Sequence, residues 1–205
     1  MMFSRSHFRR VLTPTLVAAT LAAVAVPSLT LASPPAGVNR SAPLSALVLH
    51  RNDLPASFGT AIVEKGMAID NPNEAVYLHT TAATLAQRGR SAGYESILGS
   101  RDPTHFFSLL DNVDRYRSAA GAHWQWQRDR SLHPTPPHAQ RLNTSGIGDE
   151  AWGYAEIGVH GGTAGVFFRR GHYWGRVYAL TFSAIPAGDI LRLARTMDGR
   201  MKRAG

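Results

Sequence analysis

Cysteine is absent from all 205 residues. That excludes disulfides, a thiol nucleophile, thiolate metal sites and anchoring through a lipidated cysteine. Acidic residues are few, 14 against 22 Lys and Arg, and charged residues make up only 18% of the chain. With 44% hydrophobic residues this composition excludes a disordered chain and fits a single domain with a real core. Signature motifs of chemistry are missing too: there is no H-E-x-x-H, no phosphate-binding glycine loop and no dinucleotide fingerprint.

What is present starts with a leader. Arg5, Arg9 and Arg10 form a basic region, and Val11 to Ala32 then runs 22 residues without a charge. Small residues before Ser33 complete the pattern of a secretory signal peptide over 1–32, the alternative being an uncleaved anchor. Residues 33–43, with Pro34, Pro35 and Gly37, read as a linker, and 44–205 as one domain. Without the leader arginines the formal charge falls from +8 to +5, a surplus that suits a solvated surface or anionic envelope polymers.

Along the domain, Leu44, Leu47 and Val48 fit a short helix, and Phe58–Glu64 a strand. Asn71-Pro72 predicts a helix start, with Asn71 as cap and one apolar stripe running from Ala75 to Ala86 until Gly89 stops it. Ala92–Leu98 reads as a strand. Asp102-Pro103 predicts a second long helix carrying Phe106, Leu109, Leu110, Val113 and Tyr116, interrupted near Gly121. Prolines make 132–138 a loop, and Arg141-Leu142 reads as the start of another strand. Gly146 to Phe182 then reads as an antiparallel meander, turned by Gly158, Gly161 and Gly162 and again at Arg169-Arg170-Gly171. Asp189 is placed to cap a final helix with Ile190, Leu193, Ala194, Met197 and Met201 inward. The fold class expected is α+β, a mostly antiparallel sheet of about five strands with three or four helices mainly on one face.

Candidate chemistry is sparse. Gly89-Arg90-Ser91-Ala92-Gly93 matches G-x-S-x-G, yet a nucleophile elbow leads from strand into helix and here the order is reversed. Histidines number nine, without the i, i+4 helical spacing of a metal pair, so no metal site and no cofactor is expected. The neighbouring carboxylates Asp149 and Glu150 would point to opposite faces of a strand, which favours a structural role with Asp149 accepting turn amides. Trp124, Trp152, Tyr154, Tyr173 and Trp174 fit either a core or the lining of an apolar pocket. Arg169, Arg170 and Arg176 fit either a solvated hairpin corner or an anion contact.

Asp53-Leu54-Pro55 with Phe58, Gly89-Arg90 with Gly93-Tyr94-Glu95, Gly148-Asp149-Glu150-Ala151, Phe168-Arg169-Arg170-Gly171, and Ala194 with Met197-Asp198-Gly199-Arg200 resemble a loose group of uncharacterised secreted bacterial proteins. A more distant resemblance is to the extracellular sensor domains of bacterial receptor kinases, which are typically disulfide-bonded. Both imply an extracytoplasmic α+β domain, and neither transfers a catalytic residue. The expectation is an exported, non-enzymatic binding or envelope-associated protein that engages an apolar or anionic ligand through those eight aromatic and arginine residues. An exported serine hydrolase using Ser91 and a protein-interaction module are the alternatives. The partner expected is a small ligand or envelope component, not nucleic acid, with membrane contact only through an uncleaved leader.

Overall fold

A seven-stranded antiparallel sheet is the frame of the protein, two strands more than the five expected. The structure is a computed structural model and describes residues 42–59, 62–100, 107–158, 161–181 and 187–205. The leader, the helix start at Asp102-Pro103, Phe106, His160 and Phe182 lie outside the described residues. The strands are β1 (Ile62–Ile69), β2 (Arg90–Ser100), β3 (Phe107–Tyr116), β4 (Gln140–Arg141), β5 (Glu150–Gly158), β6 (Gly161–Arg170) and β7 (Tyr173–Thr181). They lie in the order β1-β2-β3-β7-β6-β5-β4. The helices are α1 (Asn71–Tyr77), α2 (Ala82–Gln87), α3 (Ala119–Leu132) and α4 (Ala187–Ala204).

Both sheet faces are covered, which explains apolar residues on both parities of β6 and β7. Val166, Phe168, Tyr173, Val177 and Ala179 pack with Ile190, Leu193, Ala194, Met197 and Met201, the stripe that the spacing of α4 predicts. Short 3-10 turns at Leu44–Ala46 and Ala56–Phe58 close the same core. Trp152, Tyr154, Phe167 and Trp174 alternate with these and form a second cluster against Trp126 of α3. The helices therefore do not gather mainly on one face: α3 and α4, the two longest, take opposite ones.

Two helix readings are corrected. The stripe from Ala75 to Ala86 is not one helix but two, α1 and α2, split where His79 adopts a positive φ of 48°. The cap of α1 is Asp70, which accepts from the Asn73 amide at 3.0 Å, so Asn71 is already helical. The second long helix is a central strand instead, and the helix follows it. Leu109, Leu110 and Val113 also fit helical spacing, but Asp111, Asn112 and Asp114 hide the strand's alternation. They are buried polar residues, and two of them have partners far away in sequence: Leu49 N donates to Asp111 at 2.8 Å, and Arg90 Nη2 donates to Asp114 at 2.7 Å.

Gly121 does not interrupt α3; it lets the helix approach. A Cβ there would sit inside the radius of the Arg88 carbonyl oxygen and 2.7 Å from the Tyr116 ring. Alanine normally stabilises a helix interior by about 1 kcal/mol over glycine. Here Gly121→Ala is expected to cost about 1–3 kcal/mol in urea unfolding, because backbone rather than a flexible side chain must yield.

Candidate functional site

Register places three rows of side chains on the face that carries α3. Glu95, Asn112, Arg176, Phe167 and Trp152 pair in one row across β2, β3, β7, β6 and β5. Ile97, Leu110, Tyr178, Gly165 and Tyr154 form the next, and Gly99, Ser108, Leu180, Thr163 and Glu156 the third. Where the middle of these rows emerges beside α1 and the end of α3, a cleft of about 370 Å³ opens. That is the size of a small-ligand site. Leu110, Tyr154, Phe167, Tyr178 and Leu180 line it, with Tyr77, Glu95, His133 and Arg176. Gly165 makes room at its floor: a side chain there would collide with the rings of Phe167 and Tyr178, 2.9 and 3.0 Å away.

The aromatic wall is continuous. Tyr77 stacks on His133 with ring centroids 5.2 Å apart, and His133 lies parallel to Phe167 at 6.5 Å. Phe167 in turn stacks on Trp152 at 4.5 Å. Against this wall stands one cation. The Arg176 guanidinium lies 4.5 Å from the centre of the Tyr77 ring and 5.8 Å from that of Trp174, and its side chain is only 11% exposed. Nη2 donates to Glu95 at 3.3 Å, while Nε is buried with no acceptor among the described residues. An arginine carries five donors, so this one has capacity left over.

Asp129 of α3 sits behind the wall, its side chain fully buried. Tyr77 Oη donates to its Oδ1 at 3.0 Å and His133 Nε2 lies 3.5 Å from the same oxygen, while Oδ2 has no partner among the described residues. Burial pushes its carboxyl up to about 6, against the opposing pull of Arg176 and Tyr77. Burial, reinforced by Arg176, holds His133 below the usual histidine range. Arg176 stays charged: burial opposes this, but Tyr77, Asp129, Glu74 and Glu95 outweigh it. The cleft thus offers one cation within aromatic and aliphatic walls, beside a carboxylate that loses its charge in mildly acidic solution.

Behind α1 lies a buried polar network. Arg90, fully buried, donates to Asp114, to Asn71 Oδ1 at 2.8 Å and to the Ile69 carbonyl at 3.1 Å. Gln125 donates to Glu74 at 3.0 Å and to Asp114 at 2.7 Å, and accepts from the Tyr116 hydroxyl. This network fastens α1 and α3 to β2 and β3, and so positions Tyr77 over Arg176.

No family model and no curated protein matches the chain. Among solved structures it is similar to the extracellular domain of PknH from Mycobacterium tuberculosis, with a TM-score of 0.56 and 12% identity over 78% of this chain and 95% of that one. The likeness is one of fold. The distant resemblance to extracellular sensor domains of bacterial receptor kinases therefore has a structural counterpart.

Of the eight residues singled out from the sequence, Tyr154 and Arg176 line the cleft, while Trp152 and Trp174 stand against its wall and its cation. The other four are elsewhere. Trp124 packs with Ala75, Leu78 and Leu85 under the Arg88 guanidinium. Tyr173 is buried on the α4 face. Arg169 bridges Asp149 at 3.1 Å and Glu150 at 2.6 Å, and Arg170 holds Asp198 of α4 through two bonds of 2.7 Å. Asp149 also accepts from the Gly171 amide at 2.8 Å, a structural contact to the β6–β7 hairpin rather than to the amides of its own turn. Arg200 reaches back to Asp53 at 2.7 Å. The charged residues of the short shared motifs are thus largely each other's partners, fixing α4 and the hairpin to the frame.

Ser91 is held by β3. Its hydroxyl donates to the Arg115 carbonyl at 3.0 Å and accepts from Arg115 Nε at 3.3 Å. The flanking glycines have their own reasons: Gly89 takes a φ of 86°, and a side chain at Gly93 would collide with the Arg90–Asp114 pair. The cleft residues that the sequence did not single out are Tyr77, Glu95, Leu110, Phe167, Tyr178 and Leu180, with Asp129 behind them, and His133 stood out only as one of nine histidines weighed for metal.

Proposed function

We propose that the protein is an exported binding module whose cleft holds an amphipathic anion, the acidic head at Arg176 and the apolar body over Leu110, Tyr178 and Leu180. The observation that carries this reading is an arginine, its side chain only 11% exposed, that lines an otherwise largely apolar cleft. A desolvated guanidinium binds an anion more strongly than a solvated one, because the charge-assisted bond competes with less water. Leu180 is 40% and Val63 38% exposed at the two ends of a row that Ser108 and Gly99 complete, so a tail longer than the cleft has surface to follow. Export is supported by the leader pattern and by the fold shared with an extracellular domain.

Decanesulfonate is a suitable probe, since its charge does not change with pH. In calorimetric titration the wild-type protein is expected to bind it with one-to-one stoichiometry. Leu110→Trp, which fills the cleft without touching the charge network, is expected to weaken binding at least about tenfold, or 1.4 kcal/mol. Equal affinity in the two proteins would place the ligand elsewhere.

A further inference from the structure

A second cleft, of about 420 Å³, lies at the sheet edge between the end of α3 and the segment that follows β4. Two arginines line it, Arg130 in the last turn of α3 and Arg141 on β4, both exposed at its rim. Thr135, Thr144 and Trp152 add to its polar lining, and no carboxylate lines it among the described residues. Neither arginine has an acidic partner among the described residues, whereas Arg90, Arg169, Arg170, Arg176, Arg192 and Arg200 all do. Arg130 is instead held by its ring contact with Trp126, 5.4 Å from guanidinium carbon to ring centre. Arg141 is pinned by the pairing of β4 with Tyr154. The Thr144 hydroxyl donates inward to the Ala151 carbonyl at 3.3 Å, which leaves its oxygen lone pairs and not its proton toward the cleft. The Thr135 hydroxyl remains as a donor.

Two like charges in one concave site repel unless something between them is negative. From this we infer that the Arg130–Arg141 cleft is a binding site for a phosphate group, whose double charge matches two guanidiniums and whose oxygens suit their forked donors. The inference does not depend on the ligand of the Arg176 cleft. A phosphate ester reaches such a site either as a soluble molecule or as a lipid headgroup, and the chemistry recognised is the same.

The test uses the full chain and follows backbone and indole NMR signals during titration with glycerol 3-phosphate, then co-sedimentation with vesicles containing phosphatidic acid, whose headgroup is the same phosphate monoester. Glycerol 3-phosphate is expected to shift the signals of Thr135, Arg141, Thr144 and the Trp152 indole. In the double variant Arg130→Gln/Arg141→Gln the affinity is expected to fall more than about tenfold, while the paired control Arg117→Gln/Arg195→Gln, an equal loss of charge away from the cleft, leaves it unchanged. Vesicle binding that disappears in the double variant but survives in the paired control Arg117→Gln/Arg195→Gln supports the headgroup source. Soluble binding without vesicle binding supports a free ester. Shifts spread over the whole basic surface, or equal affinity in the double variant, would overturn the site.

Discussion

Arg90→Met is expected to destabilise the protein by about 3–5 kcal/mol, a large share of the stability of a domain this size. Methionine replaces the aliphatic stem of the arginine but none of its charge. Asp114, fully buried, would lose its cation, and Asn71 and the Ile69 carbonyl would lose donors. An unpaired carboxylate in that position must either stay charged at a high desolvation cost or take up a proton. Adding Asp114→Asn to Arg90→Met removes the stranded charge and is expected to recover part of the loss, whereas independent sites would add. Urea unfolding of the two single variants and the double variant checks this. A loss under about 1 kcal/mol for Arg90→Met would mean that the ion pair does not seat α1 and α3 on the sheet.

Glu74→Gln is expected to act in the other direction. Burial foremost, and then the charge of Asp114, pushes the Glu74 carboxyl up from its ordinary 4.5 to about 8, against the pull of Arg90 and Arg176. Between those two values the folded protein holds a proton that the unfolded chain releases. The unfolded state binds fewer protons there, so stability from this group falls as the pH rises through the window and is complete below 4.5. Asp129, pushed up to about 6, adds a smaller loss of the same sign between its ordinary 3.8 and that value. Wild-type protein is therefore expected to be more stable at pH 5.5 than at pH 8.5. Glutamine mimics the protonated side chain and cannot ionise. The variant should match wild type near pH 5 and exceed it at pH 8.5 by on the order of 2–4 kcal/mol, visible as a flattened pH profile of Tm. A profile that is the same in both proteins would show that Glu74 titrates normally.

How much of this was legible from residues alone varies with the physics involved. The meander and α4 were readable because local signals agree with tertiary burial: glycines at the turns, β-branched and aromatic residues in β6 and β7, and a clean apolar stripe from Ile190 to Met201. β3 was misread because Asp111, Asn112 and Asp114 look like surface residues until Leu49 and Arg90 arrive from elsewhere in the chain. The cleft suffered from the same long-range dependence. Arg176 was singled out, but Tyr77 is 99 residues earlier and His133 lies in a proline-rich loop that offers no pattern. Arg169 and Arg170 carried the same signal as Arg176, yet a hairpin corner brings them to Asp149, Glu150 and Asp198. Residue type told which side chains had chemistry; only the register told which ones met.

The pH-dependent neighbour of Arg176 also bears on binding. As Asp129 takes up its proton near pH 6, one carboxylate near the guanidinium is neutralised. A ligand anion should thus bind more tightly at pH 5.5 than at pH 7.5.

The most direct measurement is methyl NMR of the full chain with Ile, Leu and Val labelled, recorded before and after addition of decanesulfonate. If the cleft is the binding site, the methyls of Leu110, Leu180 and Ile97 shift first, Val63 follows if the tail runs outward, and Leu193 on the α4 face stays in place. Shifts at Leu193 without change at Leu110, or no shift at all, would contradict it.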